Sequence, residues 1–131
     1  MAKTTPIAAL SGTVTRFQGN GRQLGYPTAN LITATPLSDG IYFGFANLAD
    51  YRLRPALIFI GTPTTVGDTK RRVEAHLLDI PDRDYYGGEL VLDIRHYHRP
   101  SRTLSSRQAL ITLIQADEAA ARRWFGHNPL N

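Results

Sequence analysis

The chain has no cysteine among its 131 residues. That absence excludes disulfides, thiolate zinc sites and a cysteine nucleophile, and it makes a cytoplasmic location the expectation. Long hydrophobic runs are also missing: no stretch approaches the length of a membrane span. The opening Met1-Ala2-Lys3-Thr4-Thr5-Pro6 lacks a signal-peptide core, so no membrane partner is expected. The net charge is +4 and the sequence pI about 9.8, but there is no basic tail or long cationic block. Lys70-Arg71-Arg72 is the densest cluster. Such a balance favours an anionic partner, and a small anionic ligand satisfies it as well as a polynucleotide does. Internal repeats, linkers and low-complexity tracts are absent. The length and the 42% hydrophobic content therefore describe one globular domain over 1–131. It has a lead-in over 1–9, a strand-rich body over 10–100 and a helix over 104–126.

What is present is a series of short strand-like runs. Leu10 to Thr15 alternates β-branched residues, Thr28 to Ala34 is extended, and Thr35-Pro36-Leu37-Ser38-Asp39-Gly40 is a turn cluster. Ile41 to Leu48 and Pro55 to Gly61 are apolar strands, with Ala49 to Arg54 reading as the hairpin loop between them. Arg72 to Asp79 alternates in part, and Glu89 to His98 carries Leu90, Leu92 and Ile94 on one face. The period then changes. Leu110, Leu113, Ile114, Ala121, Trp124 and Phe125 form a helical stripe, with Ser105 or Ser106 as N-cap and Gly126 as its stop. Strands followed by one terminal helix predict a mainly β fold, a small closed antiparallel barrel with the helix packed outside. Alternating βαβ units are absent, which excludes a Rossmann-type fold.

Chemistry concentrates around Leu24-Gly25-Tyr26-Pro27-Thr28-Ala29-Asn30-Leu31, entered through Gly19-Asn20-Gly21-Arg22. In an extended segment Thr28 and Asn30 share a face, and two side-chain oxygens suit a hard cation such as Mg²⁺. The preceding glycines let backbone N–H groups approach a phosphate. They match neither the Rossmann fingerprint nor the P-loop, and a Gly-rich turn before a strand would carry the same residues. Glu74, read as an inward-facing carboxylate, is a candidate general base; the alternative is a surface glutamate paired with Arg71 or Arg72. His96 and His98 share a strand face but have no third ligand at hand, so they read as solvent-facing. Asp79, Asp82 and Asp84 read as a solvated acidic loop without EF-hand spacing. Tyr42, Phe43 and Phe45 read as core or wall residues, with stacking on single-stranded nucleic acid as the lesser alternative.

The chain from Gly12 to about Asp117 resembles the ATP-dependent riboflavin kinases of bacteria and eukaryotes, and six segments in order carry the resemblance. They are Leu24-Gly25-Tyr26-Pro27-Thr28-Ala29-Asn30-Leu31, Gly40-Ile41-Tyr42, Ile60-Gly61-Thr62-Pro63-Thr64, Val73 to Asp79, Asp84-Tyr85-Tyr86-Gly87 and Arg99. The resemblance implies a six-stranded Greek-key barrel that transfers the γ-phosphoryl of ATP to the 5′-hydroxyl of riboflavin, giving FMN and ADP. Thr28 and Asn30 would hold Mg²⁺, with Zn²⁺ or Mn²⁺ as alternatives, and Glu74 would be the base. Gly19, Gly21, Arg22, Gly25 and Pro27, together with Thr28, Asn30 and Tyr86, would bind the nucleotide. Glu74, Arg99 and Leu104 would bind the flavin substrate. Phe17 and Asn20 stand where the family commonly has Gly and Arg, Ser101 where it has Glu, and Leu104 where it has Phe. The adenylyl-transfer domain often fused to bacterial versions is not in this sequence, so FMN and not FAD is the expected product. A monomer that binds no nucleic acid is expected. Two other classes stay open at this point: a non-catalytic flavin- or nucleotide-binding barrel, and a basic barrel for single-stranded nucleic acid.

Overall fold

The computed structural model describes residues 6–15, 28–31, 34–48, 50–62, 71–80, 85 and 87–128. Six strands, β1 (Ala8–Thr13), β2 (Ala29–Leu31), β3 (Gly40–Leu48), β4 (Tyr51–Gly61), β5 (Arg72–Leu77) and β6 (Glu89–Arg99), precede a helix, α1 (Arg107–His127). They form one sheet in the order β1-β6-β3-β4-β5-β2, with every neighbouring pair antiparallel. Strands β3, β4 and β5 are a meander, and β6 returns to lie beside β3, which is a Greek key. The sheet then curls. Thr15, just past β1, donates its N–H to the Asn30 carbonyl of β2 at 2.8 Å, so the two edges meet at one bridge.

Curling closes one face around an apolar core. Val73, Ala75 and Leu77 of β5, Leu90, Leu92 and Ile94 of β6, and Ala29 and Leu31 of β2 all lie within it. Leu90, Leu92 and Ile94 are wholly buried, as their alternation requires. The opposite face of β3 and β4 carries Ile41, Phe43 and Leu57, and there α1 docks through Ala121, Trp124 and Phe125. Phe45 stacks edge-on against Phe125 with ring centroids 5.3 Å apart. Burying a large aromatic in this way contributes on the order of 2–3 kcal/mol, so the helix is fixed by a second, smaller core. Among the described residues, no helix is long and apolar enough to cross a membrane.

Several boundaries differ from the sequence expectations. β1 begins at Ala8, inside the expected lead-in, because Ala8 pairs with Ile94 and Ile7 donates to the Ile94 carbonyl at 2.7 Å. Long-range pairing recruits residues whose local pattern is silent. The expected hairpin loop over 49–54 is mostly strand: Leu48 pairs with Tyr51, leaving a two-residue connection. Gly126 lies within the helix and is not its stop, since α1 runs on to His127. Ser106 is the N-cap, its hydroxyl accepting from the Ala109 N–H at 3.1 Å.

Gly44 is required by close approach. A Cβ on Gly44 would overlap the Asp93 carbonyl oxygen across the β3–β6 pairing. The ladder shifts register there, between Phe43 and Gly44. Beside this irregularity β6 holds both His96 and His98 against Phe43, at ring-centroid distances of 5.5 and 4.7 Å.

Candidate functional site

Strand β2 is only three residues long, and its alternation sorts them. Ala29 and Leu31 enter the core, while Asn30 between them carries its side chain on the other face of the sheet. In the β2–β5 ladder Asn30 stands directly opposite Glu74. In the β4–β5 ladder Glu74 stands opposite Phe59. Asn30 and Glu74 are therefore lateral neighbours on one face, separated by a single interstrand step. Both are buried, at 5% and 8% exposure.

The expectation of an inward-facing Glu74 is corrected here. The core of the curled sheet is filled from β5 by Val73, Ala75 and Leu77, so Glu74 belongs to the opposite face. It is buried there by other groups. Its ionic partner is Arg72, two residues back on the same face, with Nη2 at 3.7 Å from Oε1. Arg71 faces away: its Nε binds Asp39 Oδ1 at 2.8 Å and its Nη2 the Leu37 carbonyl at 2.6 Å. Both readings of Glu74 thus held a part of the answer. It is paired with an arginine, and it is not at the surface.

Thr28 immediately precedes β2 and is half-buried. The backbone of Asn30 is held firmly, its carbonyl accepting from the Thr15 N–H at 2.8 Å and the Thr15 hydroxyl at 3.3 Å. Its side-chain Oδ1 is different. It is buried with no hydrogen-bond partner among the described residues. An acceptor left so costs about 1–3 kcal/mol unless a ligand satisfies it. A hard cation would do so, and the all-oxygen set of Thr28 and Asn30 suits Mg²⁺ better than a soft metal. Among the described residues no group of three or more His, Cys, Asp or Glu side chains could hold a metal ion.

Arg99, the last residue of β6, is clamped to the helix. Its Nε and Nη2 donate to Asp117 Oδ1 and Oδ2 at 2.8 and 2.6 Å, and its Nη1 donates to the Pro100 carbonyl at 2.8 Å. Asp117 is 3% exposed and also has His98 Nε2 at 3.4 Å. Sequence reading missed Asp117, which looks like any acid on an amphipathic helix. Its spacing from the buried Ala121, one turn on, was the available signal. Leu104 is half-buried in the segment between this clamp and the N-cap.

The histidines are not solvent-facing. His96 and His98 are half-buried, and His96 also stacks on Trp124 at 5.4 Å. Burial, with some help from the neighbouring His98, lowers the His96 pKa. His76, on the Glu74 face of β5, is lowered further, to about 4, because burial disfavours its charge more than the Asp117 carboxylate favours it. Of the acidic cluster, Asp79 is engaged by Arg122 through two bonds of 3.0 Å. Asp82 and Asp84 lie outside the described residues, as do Gly19, Gly21, Arg22, Gly25, Pro27 and Tyr86. Tyr42, Phe43 and Phe45 are 3%, 1% and 4% exposed, so they offer no platform for stacking bases.

Comparison with known proteins identifies the family and supports the fold. The family described as Flavokinase, riboflavin kinase, matches residues 6–125. Human riboflavin kinase is 34% identical over 119 residues, which cover 86% of this chain and 77% of the human protein. A crystal structure of riboflavin kinase from Trypanosoma brucei superposes with a TM-score of 0.69 at 22% identity, covering 90% of this chain and 79% of that one, and supports the fold. A Streptococcus pneumoniae structure described as a macrolide-efflux protein gives a TM-score of 0.75 at 28% identity, over 91% of this chain and 39% of that one. The chain belongs to the riboflavin kinase family, whose members use ATP and a divalent metal, and it is an enzyme of that kind.

Proposed function

We propose that the face shared by Asn30 and Glu74 is the phosphotransfer centre, and that the chain converts riboflavin and Mg-ATP to FMN and ADP. The observation that carries this reading is the buried Asn30 Oδ1, without a partner among the described residues, beside a buried carboxylate. Thr28 and Asn30 would hold the Mg²⁺, which when bound neutralises charge on the transferring phosphate. Glu74 accepts the proton of the 5′-hydroxyl as that oxygen attacks the γ-phosphorus. The bond from the γ-phosphorus to the bridging oxygen breaks, and ADP leaves with the electron pair.

The remaining residues position the reactants. Gly19, Gly21, Arg22, Gly25, Pro27 and Tyr86 would contact the nucleotide. Leu104 and the segment after Arg99 would contact the flavin, with Arg99 fixing that segment through Asp117. Phosphoryl transfer asks mainly for such positioning, because holding reactants in line supplies much of the barrier reduction.

Separating flavins after incubation with riboflavin, ATP and Mg²⁺ tests the reading. FMN should form, and Glu74→Gln should lower kcat by roughly a hundredfold, as expected for losing a general base. Unchanged turnover in that variant would remove Glu74 from the role. No FMN under any divalent metal would overturn the proposal.

A further inference from the structure

Arg72 is the most deeply buried charged residue among the described residues. Its side chain is 1% exposed, and taking a guanidinium out of water costs several kcal/mol unless an anion and good hydrogen bonds compensate. The fold nonetheless makes room for it. The residue opposite Arg72 on β4 is Gly61, which has no side chain and a φ of +153°. A Cβ at Gly61 would already stand 3.2 Å from the Phe59 ring and 3.4 Å from the Asp39 carboxylate.

The guanidinium lies beside the group assigned as base. Arg72 and Glu74 are two apart on one strand and so project from the same face, with Nη2 at 3.7 Å from Oε1. Because Arg72 is enclosed, it does not extend to a substrate in solvent. Its action has to pass through what it touches.

We propose that Arg72 is a positioning residue for Glu74: its buried guanidinium anchors the carboxylate in one orientation on the face it shares with Asn30. This rests on Glu74 being the base. A glutamate has three side-chain torsions, and a base acts only from within hydrogen-bond reach of the hydroxyl. A fixed cation 3.7 Å from Oε1, an ion contact longer than a hydrogen bond, favours the torsions that keep the carboxylate beside it before substrate arrives, which is preorganisation of the catalytic group. An ammonium offers a point charge in place of the planar fork, so lysine should restore part of the effect.

The test is a double-mutant cycle on kcat and KM, with Arg72→Met and Arg72→Lys each made alone and in the Glu74→Gln background. R72M should lower kcat about tenfold or more with KM for riboflavin within about twofold, and R72K should recover part of the loss. In the E74Q background R72M should change kcat by less than about twofold, since the group it positions is gone. A purely structural role would give the same loss in both backgrounds and overturns the inference, as does an unchanged kcat in R72M. If R72M alone does not fold, the R72K cycle decides by the same criterion. The neutral R72M/E74Q pair should fold, because both charges are then removed together. An E74Q enzyme of normal activity would instead refute the assignment of the base.

Discussion

The helix clamp allows a quantitative prediction. Asp117→Asn keeps the shape of the side chain but removes its charge and one of its two acceptor oxygens. The bidentate pair with Arg99, at 2.8 and 2.6 Å, becomes at best one neutral bond. Hydrogen bonds to charged groups contribute about 1.5–3 kcal/mol each, and breaking a buried pair from one side costs about 3–5 kcal/mol. The Arg99 side chain is 17% exposed, so water relieves part of that penalty, and a loss of about 2–3 kcal/mol is expected. For a domain of this size that is roughly a 10 °C fall in Tm. Urea unfolding measures it directly, followed by far-UV circular dichroism and by the emission of the only tryptophan, Trp124, which reports helix docking. The double variant Asp117→Asn/Arg99→Gln should be no less stable than Asp117→Asn alone. A loss below about 0.5 kcal/mol would place the pair with solvated surface bridges and refute the clamp.

Three further outcomes follow from the same structure. Gly44→Ala should destabilise by about 1–3 kcal/mol, because the new methyl meets the Asp93 backbone carbonyl and not a side chain that can move; an unchanged urea midpoint would contradict this. His76, with a pKa near 4 in the fold and about 6.5 unfolded, binds fewer protons folded than unfolded between those values. Stability should therefore rise with pH from about 4 to 6.5 and level off above, and His76→Gln should flatten that slope; an unaltered slope would exclude His76 as its source. Asp79→Asn should cost well under 1 kcal/mol, since the Asp79–Arg122 pair is 65% and 46% exposed; a loss as large as that for Asp117→Asn would show exposure to be a poor guide here.

Much of the architecture was legible in the sequence, for identifiable reasons. Leu90, Leu92 and Ile94 declare a half-buried strand, and the Ser105-Ser106 pair declares a helix start, because each depends on residues near it in the chain. Glu74 was harder. All of β5 but His76 is buried, since the curled core covers one face and Arg72, Phe59 and their neighbours cover the other. Alternation then indicates that two faces exist without indicating which one is the core. Asp117, His96 and His98 were misread or missed because their surroundings come from β6 and α1 together, elements far apart in the chain that meet through Arg99 and His98 on Asp117 and His96 on Trp124. The pairing of Asn30 with Glu74 was out of reach for the same reason: no local pattern sets the register between strands more than forty residues apart.

That register makes the chain unequally tolerant of changes in length. A residue inserted between Ala29 and Asn30 would turn the Asn30 amide into the apolar core and push a core position outward, since side chains alternate with a period of two. The same insertion in β5, between Val73 and Glu74, would bury the carboxylate among Leu90, Leu92 and Ile94. Lineages that diverge from this sequence should accordingly keep the reading frame of 29–31 and 72–77 free of insertions and deletions, even where the identities of the flanking residues drift.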